Sequence, residues 1–237
     1  MSGHLREDRE PPVAKQERYD AIVVGSGITG GWAAKELTER GMRVLVLEAG
    51  RPIDPNLDYV MLKQPHELKY RGRRDRERQE RERPIQSTCY ACDEWSEDFF
   101  VRDDLNPYTT GEDKPFSWIR SRQVGGRSIV WGRQVYRLSD LDFEANARDG
   151  HGADWPIRYA DLAPWYDHVE RFIGVSGRAE GLPQLPDSQF LAPMDLNCAE
   201  QHVREGLTGA YGGERLLTIS RAAILSEDHR DRKACHY

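Results

Sequence analysis

The stretch YDAIVVGSGITGGWAAKELTERGMRVLVLEAG, residues 19–50, decides the fold. Residues 21–24 are a short, β-branched apolar run ended at once by Gly25, the pattern of a buried parallel strand entering a tight turn. In Gly25-Ser26-Gly27-Ile28-Thr29-Gly30 the first glycine permits the sharp turn. The second leaves room for a pyrophosphate against the backbone, and the third lets the next helix pack closely on the strand. That helix runs through Trp32, Ala33, Ala34, Leu37 and Arg40, with Gly41 as its stop, and its dipole and free N–H groups face the phosphates. A second strand over 43–47 delivers Glu48 about 20 residues after the glycines, the spacing at which a carboxylate accepts hydrogen bonds from both hydroxyls of an adenosine ribose. The glycine triplet alone is a weak signal. Strand, helix and terminal acid together predict a dinucleotide-binding βαβ unit, against the plainer reading of a glycine-rich turn that binds nothing.

Around this unit the composition excludes little. At 237 residues the chain has room for one large domain or two small ones and for a real core. Its net charge of -6, from 34 basic and 40 acidic residues, gives no electrostatic case for a nucleic-acid partner. A mean hydropathy of -0.76 with 31% charged residues predicts long solvated segments or a chain lacking part of its apolar interior. No stretch approaches the roughly 20 apolar residues of a membrane span. Residues 1–18 have no apolar export core and are expected to be a flexible leader. Four cysteines do not make a disulfide framework, which fits a reducing compartment. The expected location is cytoplasmic, with export alongside a partner subunit to the periplasm as the alternative.

Past Gly50 the chain leaves the sheet through Arg51-Pro52-Ile53-Asp54-Pro55-Asn56. The run RGRRDRERQERERP (71–84) reads as a solvated helix or disordered loop rather than a nucleic-acid patch, because acids interleave the arginines and no aromatics lie among them. Cys89-Tyr90-Ala91-Cys92 has redox or zinc spacing. With no second pair and no strand-to-helix setting, it reads as structural thiols, and Trp95, Phe99, Phe100 and Val101 predict a packed segment beside it. In FSWIRSRQVGGRSIVWGRQVYRL (116–138), Gly125, Gly126 and Gly132 interrupt an apolar and basic sequence. Either they bring backbone close to something flat or phosphorylated, with Arg120, Arg122 and Arg127 neutralising an anion, or they form a bulged strand or turn.

Taken together, VGSGITGGWAAKELTERGMRVLVLEAG and RSRQVGGRSIVWGRQVYRLSDLDFE resemble the glucose-methanol-choline (GMC) oxidoreductases, FAD-dependent enzymes that oxidise alcohols and sugars. The closer likeness is to the bacterial branch of gluconate, fructose and glucoside 3-dehydrogenase catalytic subunits, with pyranose oxidase more distant. Asp154-Trp155-Pro156-Ile157-Arg158-Tyr159, the helix 162–172 and Gly174-Val175-Ser176-Gly177 match that branch's further pattern. The resemblance implies that Gly25, Gly27, Ile28, Thr29 and Gly30 contact the FAD pyrophosphate and that Glu48 holds the ribose. It places Ala49 and Gly50 beside the adenine, and Gly125, Gly126, Ser128, Trp131 and Gly132 on the approach to the flavin. Many members carry Asn where this chain has Trp131. Pyranose oxidase bonds its flavin to a histidine at the place of Val130, so a flavin here is expected without that bond.

The implied fold is α/β, a Rossmann-like doubly wound parallel sheet with a partial, loop-rich substrate domain. Residues 19–150 form the FAD-binding portion with a charged insertion at about 51–115, and 151–237 begin the substrate domain. The family's catalytic histidine, with its His or Asn partner, is expected beyond Tyr237, because Cys235-His236-Tyr237 resembles the opening of a cysteine-rich segment that continues further in the branch. No metal site is expected. His151, His168 and His202 read as structural, for none has a recognisable acid-base partner. The reading is an oxidoreductase for CH–OH groups of a sugar, sugar acid, glycoside or other alcohol, with electrons passing to an acceptor other than oxygen. Its implied partners are a small subunit and a cytochrome or other acceptor. The rivals are a nicotinamide-dependent dehydrogenase, which leaves the second glycine stretch unexplained, and an FAD-binding fragment without activity.

Overall fold

The structure, a computed structural model, describes residues 17–60 and 63–236, so residues 1–16 of the expected leader lie outside it. Two compact units divide the chain, one up to Trp131 and one from Gly132, inside the second glycine-rich stretch.

The first unit opens with strand β1 (Ala21–Val24), helix α1 (Ile28–Glu39) and strand β2 (Val44–Leu47), the βαβ order read from the sequence. The strands pair in parallel with Ala21 opposite Val44 and Val24 opposite Leu47, and Gly25 N–H extends the ladder by donating to Leu47 O at 2.7 Å. No further strand joins this sheet among the described residues, so the doubly wound sheet expected from the resemblance is not formed by them. The cause lies in residues 51–131. Their prolines, glycines and dense charge yield short helices and isolated bridges, such as Arg51 to Gln123 and Phe100 to Ser121, in place of strands. With only two strands, apolar side chains on the sheet stay uncovered, Val24 at 81% exposure and Ile22 at 62%.

The charged run 71–84 forms a helix in part, one of its two expected states, but that helix is packed on one face rather than solvated throughout. The insertion contains α2 (Pro55–Asp58), α3 (Arg76–Glu82) and α4 (Pro84–Ser87). Buried Gln79 donates to Glu97 Oε2 at 2.8 Å, Arg78 pairs with Glu97, and the Gln86 amide donates to Val101 O at 3.0 Å. These polar groups pack against buried Phe99, Phe100 and Val101, the packed segment the sequence predicted. Hydrogen bonds and ion pairs within this layer help so hydrophilic a sequence to fold, with Arg83 Nε and Nη1 and Gln86 Oε1 left buried without a partner among the described residues.

Cys92 sits in this layer, 1% exposed, in a turn closed by its N–H to Cys89 O at 3.2 Å. Arg74 holds the turn by donating to Cys89 O and Cys92 O, both at 3.0 Å. Burial, then the neighbouring Cys89, pushes the Cys92 thiol up to about 12, as a structural thiol requires. Native thiol titration at pH 8 is therefore expected to modify exposed Cys198 and Cys235 quickly and Cys92 only on unfolding. Fast labelling of Cys92 in the folded chain, read by peptide mapping, would contradict its placement.

The second unit comprises α5 (Asp140–Asp149), α6 (Tyr159–Ile173), β3 (Val175–Ser176), β4 (Phe190–Leu191) and α7 (Cys198–Tyr211). The amphipathic helix expected over 162–172 is α6, longer at its start because Asp161 accepts from the Arg158 N–H at 2.8 Å. Within Gly174-Val175-Ser176-Gly177, β3 pairs in parallel with β4. Val175 and Ser176 are fully buried, and Ser176 exchanges backbone bonds with Ala222 at 2.9 and 3.0 Å. Its packing centre is polar too: Arg137, 4% exposed, meets Glu170, 2% exposed.

Candidate functional site

In the first unit, the turn after β1 and the segment 121–127 face each other across a cleft of about 430 Å³. Gly25, Gly27, Ile28, Thr29 and Glu48 line one side, and Ser121, Arg122, Gln123, Gly126 and Arg127 the other. The two glycine stretches, about a hundred residues apart in sequence, therefore form one site. A Cβ on Gly126 would lie 3.2 Å from Gly27 Cα, so the second motif's glycine serves the approach of the two backbones.

The start of α1 is left open for an anion. Gly27 is its N-cap with no side-chain cap, and its first turn has no acidic residue. The starts of α5 and α7 are closed by capping boxes, Ser139 with Asp142 and Asn197 with Glu200. The first N–H groups of any helix lack intrahelical partners, and a positive dipole end without a competing carboxylate suits a phosphate. Ser121, which also lines the cleft, has a buried hydroxyl with no hydrogen-bond partner among the described residues. This donor set fits the pyrophosphate and ribose of a dinucleotide.

Glu48 is half-buried and lines the cleft. Its Oε2 accepts from Ser26 Oγ at 2.6 Å and from the Ser26 N–H at 2.7 Å, and its Oε1 accepts from the Gly50 N–H at 2.7 Å. The Ser26 hydroxyl, then the two N–H groups, hold its carboxyl below the usual carboxylate range. Ser26 Oγ in turn accepts from the Gly125 N–H at 3.0 Å.

The remaining expected site residues have other placements. Gly30 lies under the turn, where a Cβ would stand 1.9 Å from Gly25 O, so it serves helix packing. Gly50 abuts the backbone of Arg122 and Gln123, with a Cβ falling 2.3 Å from Gln123 Cα, and the exposed Ala49 lies beside it. Gly125, at φ 88, caps the 3₁₀ turn Gly126–Ile129, and Ser128 closes that turn by donating to Gly125 O at 2.5 Å. Trp131 is partly exposed at the end of the first unit and Gly132 begins the second. Of the three arginines, Arg122 and Arg127 line the cleft. Arg120 is engaged elsewhere, with Asp103 at 3.1 Å and over the Tyr108 and Trp118 rings. Ser26, Ser121 and Gln123 were missed. Ser26 had a signal, a hydroxyl between two motif glycines with a carboxylate due nearby; the other two had none. His151, His168 and His202 are exposed in the second unit. No cluster of metal-ligating side chains occurs, and no helix is long and apolar enough to cross a membrane, among the described residues.

Comparison with known proteins agrees with this geometry. An NAD(P)-binding Rossmann-like domain family matches residues 23–53. Paromamine 6'-oxidase of Streptomyces fradiae is 29% identical over 69% of this chain and 24% of its own length. The gluconate 2-dehydrogenase flavoprotein of Pantoea cypripedii is 25% identical over 76% of this chain and 29% of its own. The fructose dehydrogenase large subunit of Gluconobacter japonicus is 25% identical over 67% and 27%. The chain thus spans about a quarter of the length of the curated relatives it matches. Its homologues are GMC-type oxidoreductases, matched over their N-terminal part, and their cofactor is FAD.

Proposed function

We propose that this chain is the FAD-binding, N-terminal part of an oxidoreductase acting on CH–OH groups of a sugar, sugar acid, glycoside or other alcohol. The observation that carries this reading is the meeting of both glycine stretches in one cleft that Glu48 also lines. The open start of α1 and Gly27 would receive the pyrophosphate, Glu48 the ribose hydroxyls, and Gly126 with its neighbours the approach to the flavin. The cofactor, when bound, supplies the hydride acceptor for the alcohol carbon. This chain's residues bind and orient it, while Arg122 and Arg127 offset phosphate charge. The complete doubly wound sheet belongs to the same proposal, since the exposed side chains of β1 and β2 suit further strands and helices.

Electron transfer to an acceptor other than oxygen is favoured by the gluconate and fructose relatives, both named dehydrogenases, whereas the paromamine relative is named an oxidase. The large-subunit name of the fructose relative supports a small-subunit partner. A nicotinamide-dependent dehydrogenase is the second reading, favoured by the description of the family matched at residues 23–53.

The test is to purify the chain, equilibrate it with FAD and with NAD, and record what is retained. FAD is expected to be retained and to leave with the supernatant on denaturation, since Val130 offers no histidine for a covalent bond. Retention of NAD and not FAD would overturn the proposal. Glu48→Ala is expected to weaken FAD at least tenfold, because hydrogen bonds to a charged group contribute about 1.5–3 kcal/mol each. Isothermal titration against the parent chain checks this, and equal affinities would refute the role of Glu48. In an anaerobic assay with an artificial acceptor, turnover is expected from a form as long as the relatives and not from these 237 residues alone. Substrate-dependent flavin bleaching in the 237-residue chain would show that this portion holds the chemistry by itself.

A further inference from the structure

We infer that Ser26 is a positioning residue that fixes the ribose-binding carboxylate and the second glycine stretch to each other, so that the two motifs bind the cofactor as one unit. The inference rests on the FAD reading of the cleft. A serine hydroxyl has one proton to donate and lone pairs to accept with. Here the proton goes to Glu48 Oε2 at 2.6 Å, which fixes the rotor, and the oxygen receives the Gly125 N–H at 3.0 Å. The Ser26 N–H donates to the same Glu48 oxygen at 2.7 Å, so backbone and side chain of one residue grip one carboxylate atom. Gly125 is the residue whose left-handed conformation starts the Gly126–Ile129 turn, and Gly126 is the one that approaches Gly27. Position and orientation of the second motif are thereby tied through one hydroxyl to the acid ending β2.

An alanine at 26 keeps the backbone N–H but removes the hydroxyl. Glu48 then loses one of its three donors, and the Gly125 N–H loses its acceptor. The charged groups near Glu48 are Arg122 and Arg127, which line the same cleft, and Arg51 on the exit from β2, which pairs with Asp58 at 2.8 Å. None of them replaces the hydroxyl's bond to Oε2. The Glu48 carboxyl should therefore titrate nearer to the ordinary glutamate value of about 4.3 in the variant. FAD affinity should accordingly begin to fall at a higher pH as the solution is acidified.

The experiment compares the full chain with Ser26→Ala, Ser26→Thr and Glu48→Gln. FAD affinity is read by flavin fluorescence from pH 7 to 4. In the FAD-free chain, carboxyl ¹³C titration of Glu48 and amide exchange of Gly125 are read by NMR. Ser26→Ala should bind FAD about tenfold more weakly, one charge-assisted hydrogen bond's worth. It should also shift the acid limb upward and speed Gly125 exchange, and Ser26→Thr should restore all three. An unchanged Glu48 titration and unchanged Gly125 exchange in Ser26→Ala would overturn the inference. If Ser26→Ala does not fold, Glu48→Gln decides, since it should also speed Gly125 exchange by weakening the hold on the hydroxyl, and no change there overturns the coupling. A parent chain that takes no FAD would refute the functional reading, while titration and exchange still test the Ser26 coupling.

Discussion

Glu170→Leu is expected to destabilise the second unit by about 3–5 kcal/mol, the usual consequence of removing one partner from a buried ion pair. Arg137 Nε donates to Glu170 Oε1 at 3.0 Å, its Nη2 pairs with Glu170 Oε2 and donates to Asp167 Oδ1 at 2.5 Å, and its Nη1 donates to Tyr159 OH at 2.9 Å. Burial works against the guanidinium charge. The hydrogen bonds of Glu170, Asp167 and Tyr159 outweigh it, so the pKa of Arg137 is raised. Glu170 also accepts from Ser188 Oγ at 2.8 Å and from the Gln189 N–H at 3.2 Å, so it ties the segment before β4 to α6. Leucine leaves a buried cation with Asp167 as its one remaining charged partner, beside the Tyr159 hydroxyl, and frees the Ser188 hydroxyl and the Gln189 N–H. Urea unfolding followed by circular dichroism measures the loss, and a change below about 1 kcal/mol would show that solvent reaches the pair. The double variant Arg137→Met with Glu170→Leu should recover much of the stability, because replacing both partners by apolar groups removes the uncompensated charge.

The same network sets an acid limit. The hydrogen bond from Arg137, only partly offset by burial, lowers the pKa of Asp167. A carboxylate with a depressed folded-state pKa contributes stability that is fully present above its unfolded value of about 3.9. That contribution is lost as pH falls through the lower folded value, so the difference between the parent chain and Asp167→Asn should narrow only below about pH 4.

How much of this was legible in the sequence depended on what carried the structure locally. The β1, α1 and β2 boundaries followed from an apolar run, a glycine turn and a helical period, all local signals that backbone sterics make reliable. Glu48 was found by its spacing from the glycines. Its contacts with Ser26 and Gly50 were not, because they depend on how the turn folds back on the strand end. In the insertion the helix of the charged run was legible and its packed face was not, for a related reason. Hydrophobic patterning identifies what water rejects, whereas Gln79 and Glu97 are buried against each other by a hydrogen bond and Gln86 by donating to Val101 O, which leaves no period in the sequence. Gly50, expected beside the adenine, also has a packing reason to be glycine that the sequence did not reveal, since the backbone of Gln123 lies against it.

Gly30→Ala and Gly27→Ala should separate the glycine that builds the fold from the one reserved for a ligand. A methyl on Gly30 would stand 1.9 Å from Gly25 O, 3.0 Å from Gly25 C and 3.4 Å from Val23 Cγ1. Two of those atoms are backbone, so no side-chain rotation relieves the overlap, and α1 must move off the turn. Overpacking usually costs about 1–3 kcal/mol, and a backbone collision belongs at the upper end or beyond. Gly30→Ala should therefore lower the melting temperature of the first unit sharply and abolish FAD binding with it. Gly27 has nothing within 4 Å of its would-be Cβ, and its φ of -66° suits alanine. Exchanging glycine for alanine at this N-cap should cost under about 1 kcal/mol, leaving the fold intact. The methyl would nevertheless project into the cleft that Gly27 lines, where the pyrophosphate is proposed to approach the backbone. Gly27→Ala is therefore expected to melt like the parent chain yet bind FAD at least tenfold more weakly, which differential scanning fluorimetry and flavin titration would show side by side. Parent-like affinity in Gly27→Ala would mean that the cofactor does not approach the turn at that point, and the pyrophosphate would have to be placed elsewhere along the start of α1.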